Sequence, residues 1–312
     1  MFETKGRTLL VQARPTLINR LAQRELFWAA VFIAPLICGL FIFTYIPVVC
    51  SLALSFSSWN LLGDPQWVGL ENYTHLLGDP LFFKTMAVTT VFVVVGVTLE
   101  IVLALAVALL LNRAVQGIAV FRSVFFLPVV SPMVSVALVW GWIFDPQFGW
   151  LNALLQLIPF AHLPRIAWLY DEQWALWALI MIRIWKDLGY TMLILLAGLQ
   201  GIPSHLYESA RIDGAGWWRQ LWAVTLPMLS PTLFFVITVA MIQAFQTFDV
   251  VYLLTEGGPG NSTQLLVYWL FKNAFQFYKV GPASAMAYVL FLIILSLTLV
   301  QWTLRKRWVL HE

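Results

Sequence analysis

Six long apolar stretches, almost free of charge, set the strongest limit on what this chain can become. They run approximately from Leu26 to Phe56, Thr85 to Leu111, Val124 to Phe144, Trp174 to Leu199, Leu221 to Phe248 and Gly281 to Leu304. About 20 such residues are needed to cross the ~30 Å hydrocarbon layer of a bilayer. Lipid offers no partner to a free backbone N–H or C=O, so each stretch has to satisfy itself as a helix. Pro35, Pro47, Pro128, Pro132, Pro227 and Pro231 are expected to bend or begin these helices. No convincing internal repeat is visible. The expected fold is all-α, a polytopic membrane protein with six transmembrane helices.

Composition narrows the function classes. Charged residues make up 11% of the chain and hydrophobic residues 61%, whereas about a quarter of a soluble domain is charged. A net charge of +3 over 312 residues carries no nucleic-acid footprint, and the lipid bilayer is the implied surrounding. Cys38 and Cys50 fall in the first stretch, roughly 18 Å apart along a helix, beyond disulfide reach. They read as packing residues. Residues 1–25 carry Lys5, Arg7, Arg14, Arg20 and Arg24 without the short apolar core or small-residue cleavage site of a removable signal peptide. The expected organisation is a basic tail over 1–25, a six-span body over 26–304 that includes a polar loop at 203–227, and a second basic tail over 305–312.

Lys and Arg concentrate on the cytosolic side of membrane proteins. One set of flanks holds the five tail residues with Arg113, Arg122, Arg211, Arg219, Arg305, Lys306 and Arg307; the other holds Lys84, Arg165, Lys272 and Lys279. This asymmetry predicts both termini and the 203–227 loop in the cytosol. Outer connections are then 57–84, 145–173 and 249–280, the last with a Gly-Gly-Pro-Gly turn at Gly257 to Gly260. Asn72-Tyr73-Thr74 and Asn261-Ser262-Thr263 match the glycosylation acceptor pattern there; chance accounts for so short a match.

The polar loop is where nothing in a bilayer requires polarity. Leu206 to Pro227 reads L-Y-E-S-A-R-I-D-G-A-G-W-W-R-Q-L-W-A-V-T-L-P. Ser204 after Pro203 is placed to cap a helix, Glu208 in its first turn suits the helix dipole, and Gly214 with Gly216 supplies a stop. A helix of about ten residues is unstable alone in water. Ser209, Ala210 and Ala215 leave room for a neighbour. The segment is predicted to be a docking knob.

Several polar side chains lie inside the predicted spans. Arg183, Lys186, Asp187 and Tyr190 share one helical face of the fourth stretch. Each charge costs about 2.5–3.5 kcal/mol on an insertion scale, so the face should meet water, a ligand or a partner. The bland alternative is that Lys186 and Asp187 neutralise each other or pair across a subunit interface. Gln243, Gln246 and Thr247, followed by Asp249, form a smaller stripe near the outer end of the fifth stretch; such groups bond sugar hydroxyls or tie helices together. Glu100, alone in the second stretch, reads as a buried, protonated carboxyl bonded to a neighbour, with a lumen or proton-linked role as alternatives. Aromatic residues could stack on sugar rings, yet for any one Trp an interfacial position is the better account.

The loop carries a specific resemblance. Glu208-Ser209-Ala210, three residues, Gly214, nine residues, then Val224-Thr225-Leu226-Pro227 is similar to the loop of bacterial ABC-importer permeases whose pattern is E-A-A-x3-G-x9-I-x-L-P. Ser209 and Val224 depart conservatively. Agreement extends from Trp67-Val68-Gly69-Leu70-Glu71-Asn72-Tyr73 to Leu254-Thr255-Glu256-Gly257-Gly258-Pro259-Gly260, and the chain resembles the carbohydrate-uptake permeases, as in maltose and glycerol-3-phosphate systems. The resemblance implies a type I ABC-importer permease fold with a short cytosolic coupling helix, in a bacterial cytoplasmic (inner) membrane. It implies a second, non-identical permease subunit, a cytosolic ABC ATPase dimer and an extracytoplasmic solute-binding protein. ATP and Mg would be used by the partner ATPase, with no cofactor bound by this chain. Glu208, Ser209, Ala210, Arg211, Asp213, Gly214, Ala215 and Pro227 are the implied ATPase-coupling residues. An ungapped match from Trp185 to Gln200 places Arg183, Lys186, Asp187 and Tyr190 on the family's sugar path, with Gln243, Gln246 and Asp249 as further pathway candidates. The implied cargo is a sugar or related polyol, with glycerol 3-phosphate or another anionic phosphorylated solute as the alternative.

Two other classes are open to a chain of this composition. An ion-gradient-driven secondary transporter would use Glu100 and the fourth-stretch charges, but six spans without a repeat argue against it. A membrane-embedded enzyme would need a catalytic cluster, and none can be assembled. The chain has no Gly-Lys dipeptide and hence no phosphate-binding Walker loop, and His75, His162, His205 and His311 lack metal-ligand spacing. The reading is a transport subunit, not an enzyme, with no catalytic residue and no metal.

Overall fold

The computed structural model describes residues 15–112, 117–157 and 164–308. Arg113, His162, His311 and the tail residues Lys5, Arg7 and Arg14 lie outside them. The chain divides into two units, Met1–Ala53 and Leu54–Glu312.

In the first unit, α1 (Pro15–Leu40) leads through a π-helical turn at Phe41–Tyr45 into α2 (Ile46–Ser55). Pro47 explains the widened turn. Its ring would collide with the carbonyl four residues back and its nitrogen carries no hydrogen, and an extra residue in the turn relieves both. The segment is apolar and exposed almost throughout, Phe32 at 77% and Phe43 at 80%. Cys38 and Cys50 are free and exposed.

The second unit begins with a two-residue antiparallel ribbon. β1 (Ser57–Ser58) pairs with β2 (Gln66–Trp67), Ser57 opposite Trp67. α3 (Glu71–Gly78) is fixed to it by Asn72, whose Nδ2 donates to Ser55 O and Ser57 O at 2.9 Å. α4 (Pro80–Leu111) starts at Asp79, whose carboxylate accepts from Leu81 N at 2.8 Å. α5 (Ile118–Val130) and α6 (Met133–Ile143) meet at a 101° bend, and α7 (Trp150–Gln156) follows. Then come α8 (Ala175–Gln200), α9 (Ser204–Ile212) and α10 (Trp217–Gln220). A second π-turn at Leu221–Thr225 precedes α11 (Leu226–Phe245) with Pro227, the same device seen before Pro47. α12 (Asp249–Leu254), α13 (Leu266–Phe271) and α14 (Val280–Trp308) complete the unit.

Among the described residues, four helical stretches are long and apolar enough to cross a membrane: Phe27–Ser55, Pro80–Leu111, Trp217–Phe245 and Val280–Arg305. The expected third span is broken. Pro132 disfavours a helical Ser131, and the chain turns there; the pair counts as a fifth span only if taken together. α8 has 26 residues, roughly 39 Å, and is set apart by its three charges.

α8 sits at the centre of the packing, against α4, α5, α11 and α12. Between apolar helices in lipid, association rests on close contact and hydrogen bonds rather than on water exclusion. Glycine supplies the closeness. A Cβ on Gly189 would overlap the Phe125 carbonyl of α5, and one on Gly198 would stand 2.6 Å from Thr232 Oγ1 of α11. Phe92, Leu179 and Ile182 lie in one buried cluster, Ala108, Met192 and Leu229 in another.

The expected turn at Gly257 to Gly260 is present, with Gly257 at φ 81° and Gly260 at φ 54°. Lys84 Nζ donates to Gly260 O at 2.6 Å, and the Glu172 carboxylate lies against Gly260.

Candidate coupling helix and transport face

α9 is a short, exposed helix with a well-made stop. Ala215 N donates to Ala210 O at 2.9 Å and Gly214 N to Arg211 O at 3.0 Å. These are the paired bonds that close a helix on a left-handed residue, here Gly214 at φ 76°. Its beginning differs from the expectation. Pro203 is the flanking residue and Ser204 is already helical, without a side-chain cap, so Glu208 falls fifth and outside the first turn.

Glu208, Ser209, Arg211, Asp213 and Gly214 are exposed, and Ala210, Ala215 and Pro227 are half-buried. Glu208 and Arg211 form no ion pair; Arg211 Nε donates to Tyr207 O at 3.3 Å. Sequence reasoning passed over Ile212, 86% exposed at the tip of the helix. An isoleucine with no apolar partner at helical spacing was the available signal. On the inner side, Leu206 and Tyr207 pack on the cluster of Ala108 and Leu229, and the Tyr207 hydroxyl meets Thr225 Oγ1 at 3.1 Å.

The polar face of α8 divides by depth. Arg183 is 4% exposed, with Nη2 3.0 Å from Glu100 Oε2 and Nε 3.6 Å from Asp187 Oδ2. Nη2 also donates to Ala240 O at 3.2 Å, and the guanidinium lies over the Phe92 ring. Thr191 Oγ1 donates to Glu100 Oε1 at 2.6 Å. Nη1 has no hydrogen-bond acceptor and rests against Gly96. Arg183 is thus a buried link among α4, α8 and α11. Glu100 is bonded to a neighbour, as expected: Oε1 accepts from Thr191, while Oε2 lies 3.0 Å from the Arg183 guanidinium without a hydrogen bond of its own.

Lys186 is also committed. Its Nζ donates to Ser131 O at 2.9 Å and reaches Pro128 O and Val129 O at 3.4 and 3.5 Å. These carbonyls belong to the last residues of α5 and to Ser131, its capping residue; Pro128 O also accepts from Ser131 N at 3.2 Å. A cation is favoured there, so Lys186 does not simply neutralise Asp187. Asp187 is part-exposed, and its one ion pair among the described residues is with Arg183. Tyr190 is 40% exposed, and Gln243 is exposed as well. Gln246 points elsewhere, lining a cavity of about 430 Å³ with Leu270, Leu290 and Phe291. Among the described residues no group of His, Cys, Asp and Glu could hold a metal ion.

A family model described as binding-protein-dependent transport system inner membrane component matches residues 100–309, from Glu100 through α9 into α14. The chain belongs to that family. This inner membrane component is a multi-pass membrane protein and part of a transport system, not itself an enzyme. It is 39% identical over 285 residues to the probable ABC transporter permease protein YesP of Bacillus subtilis, covering 90% of this chain and 91% of the relative. It is 32% identical over 285 residues to the trehalose/maltose transport system permease protein MalF of Thermococcus litoralis, covering 91% and 95%. A chain of a bacterial ABC transporter involved in the import of the acidic polysaccharide alginate shares its fold, with a TM-score of 0.79 at 21% identity over 94% of this chain and 99% of that one.

Proposed function

We propose that this chain is one permease subunit of an ATP-driven ABC importer and forms half of the passage for a sugar or related polyol. The observation that carries the reading is α9, an exposed helix tipped by Ile212 and tied at its base to α11. α9 would seat in a cytosolic ATPase, two of which would close on ATP and Mg and draw the seated helices together. The spans would then tilt and expose the passage to the other side. A second, non-identical permease subunit would complete the passage, and an extracytoplasmic solute-binding protein would deliver the cargo. Both termini would lie in the cytosol.

Asp187, Tyr190, Gln243 and Asp249 are the side chains proposed to meet the cargo, since they are the accessible ones on this face. Arg183 and Lys186 support the face from behind. The name of the similar trehalose/maltose permease supports a carbohydrate, and that of the similar sn-glycerol-3-phosphate permease of Brucella abortus supports the anionic alternative. An anionic solute would need a free cation, and Arg183 is answered by Glu100 and Asp187.

The test is purification of the tagged chain from its native membrane. An ABC ATPase and a second permease should copurify, and uptake should stop on ATP depletion while surviving an ionophore. Uptake that persists without ATP and collapses with the ionophore would overturn the proposal.

A further inference from the structure

We propose that Tyr207 and Thr225 are a positioning pair, the hydrogen-bonded link through which displacement of α9 is delivered to the base of α11. The inference rests on the reading of α9 as the ATPase contact and names the part of the chain that carries its motion.

α9 has no buried residue of its own, and Leu206 and Tyr207 are what it lends to the neighbouring apolar cluster. Beside them is an open cavity of about 280 Å³ lined by Asn112, Ser204, Arg211, Tyr207, Gln220 and Thr225, among others. Packing there is incomplete, so a directional bond matters more than shape. Thr225 Oγ1 donates to Gln220 O at 3.3 Å. A hydroxyl has one proton to give, so in the 3.1 Å contact the Tyr207 hydroxyl donates and Thr225 accepts. Gln220 Nε2 then donates to Ala215 O at 2.7 Å, which returns the chain of bonds to the turn that ends α9.

The receiving end suits such a load. Thr225 is 4% exposed and closes the π-turn, and Leu226 N reaches back to Leu221 O. Two residues on, Pro227 contributes no N–H, so the helical ladder is at its weakest between α10 and α11. A pull on α9 arrives at this yielding turn through Tyr207, by a path shorter than the 213–216 loop.

The test uses the membrane-reconstituted complex with Cys38 and Cys50 replaced by Ser and spin labels on His205→Cys and Phe235→Cys, both exposed positions. In the otherwise unmodified chain the distance between labels should stay constant within about 2 Å, the scale of helix shifts at packed interfaces, when ATP and vanadate are added. In Tyr207→Phe and in Thr225→Val it should broaden or shift further, with the double variant no worse than either single one, and Thr225→Ser should restore the original behaviour. Thermal unfolding of each variant separates a lost link from lost folding. A wild-type distance that changes on ATP addition, or variants that behave as the wild type, would overturn the inference. Copurification of the ATPase is scored separately and reports on the importer reading alone.

Discussion

The guanidinium of Arg183 and the carboxylate of Glu100 face each other at 3.0 Å between α8 and α4, both almost fully buried. Removing one partner of such a pair strands the other, at about 3–5 kcal/mol, while replacing both by apolar residues is far milder. Arg183→Met and Glu100→Leu should each lower the unfolding temperature of the detergent-solubilised protein sharply. The double variant should recover much of the loss. Additive losses would mean that the two side chains act independently.

The close approach of α8 to α5 predicts a second stability effect. Gly189→Ala places a Cβ against the Phe125 carbonyl, a backbone atom that cannot step aside, and overpacking of this kind costs about 1–3 kcal/mol. Gly216→Ala meets nothing within 4 Å and serves as the control. Resistance to trypsin in membranes should fall for the first and hold for the second.

Gly214→Asp separates docking from folding. The position is left-handed and its surroundings are open, so the cost is local backbone strain, about 1–2 kcal/mol or less for a residue that tolerates this region. Membrane insertion should be normal, with ATPase association and uptake lost. Ile212→Ser should weaken the same association without changing thermal stability, as measured by copurification.

Asp187→Asn and Tyr190→Phe should change the solute concentration that half-saturates uptake, with the complex still assembled. Lys186→Met should act differently, lowering stability because the end carbonyls of α5 lose their cation. Combined Lys186→Ala and Asp187→Ala should alter substrate-stimulated ATPase activity; an unchanged stimulation would assign the face to structure alone.

Orientation can be read by thiol labelling in a Cys38→Ser, Cys50→Ser background. A membrane-impermeant reagent should label Gln147→Cys on intact cells and reach Ser209→Cys only after permeabilisation. The reverse pattern would place α9 outside and remove the basis for ATPase coupling.

Much of this architecture can be read along the chain. Apolar runs, proline positions and the Gly214 stop are local quantities, since span length, missing N–H groups and a left-handed φ depend on neighbouring residues alone. Even there, Ser204 became the first helical residue instead of the cap. The 101° break at Ser131 was only half visible, because Pro132 announces a bend but the amount is set by what α5 and α6 pack against.

The fate of the charges was decided in three dimensions. Helical spacing put Arg183, Lys186, Asp187 and Tyr190 on one face, and nothing in that spacing distinguishes a lining residue from a link. Glu100 arrives from α4, Ala240 from α11 and the α5 carbonyls from across the bend, and these distant partners turned two cations inward and left Asp187 and Tyr190 accessible. Periodicity along one helix specifies direction around its axis. Which neighbour waits in that direction is a property of the packed bundle, where a buried charge must find its counterpart wherever the fold brings one within reach.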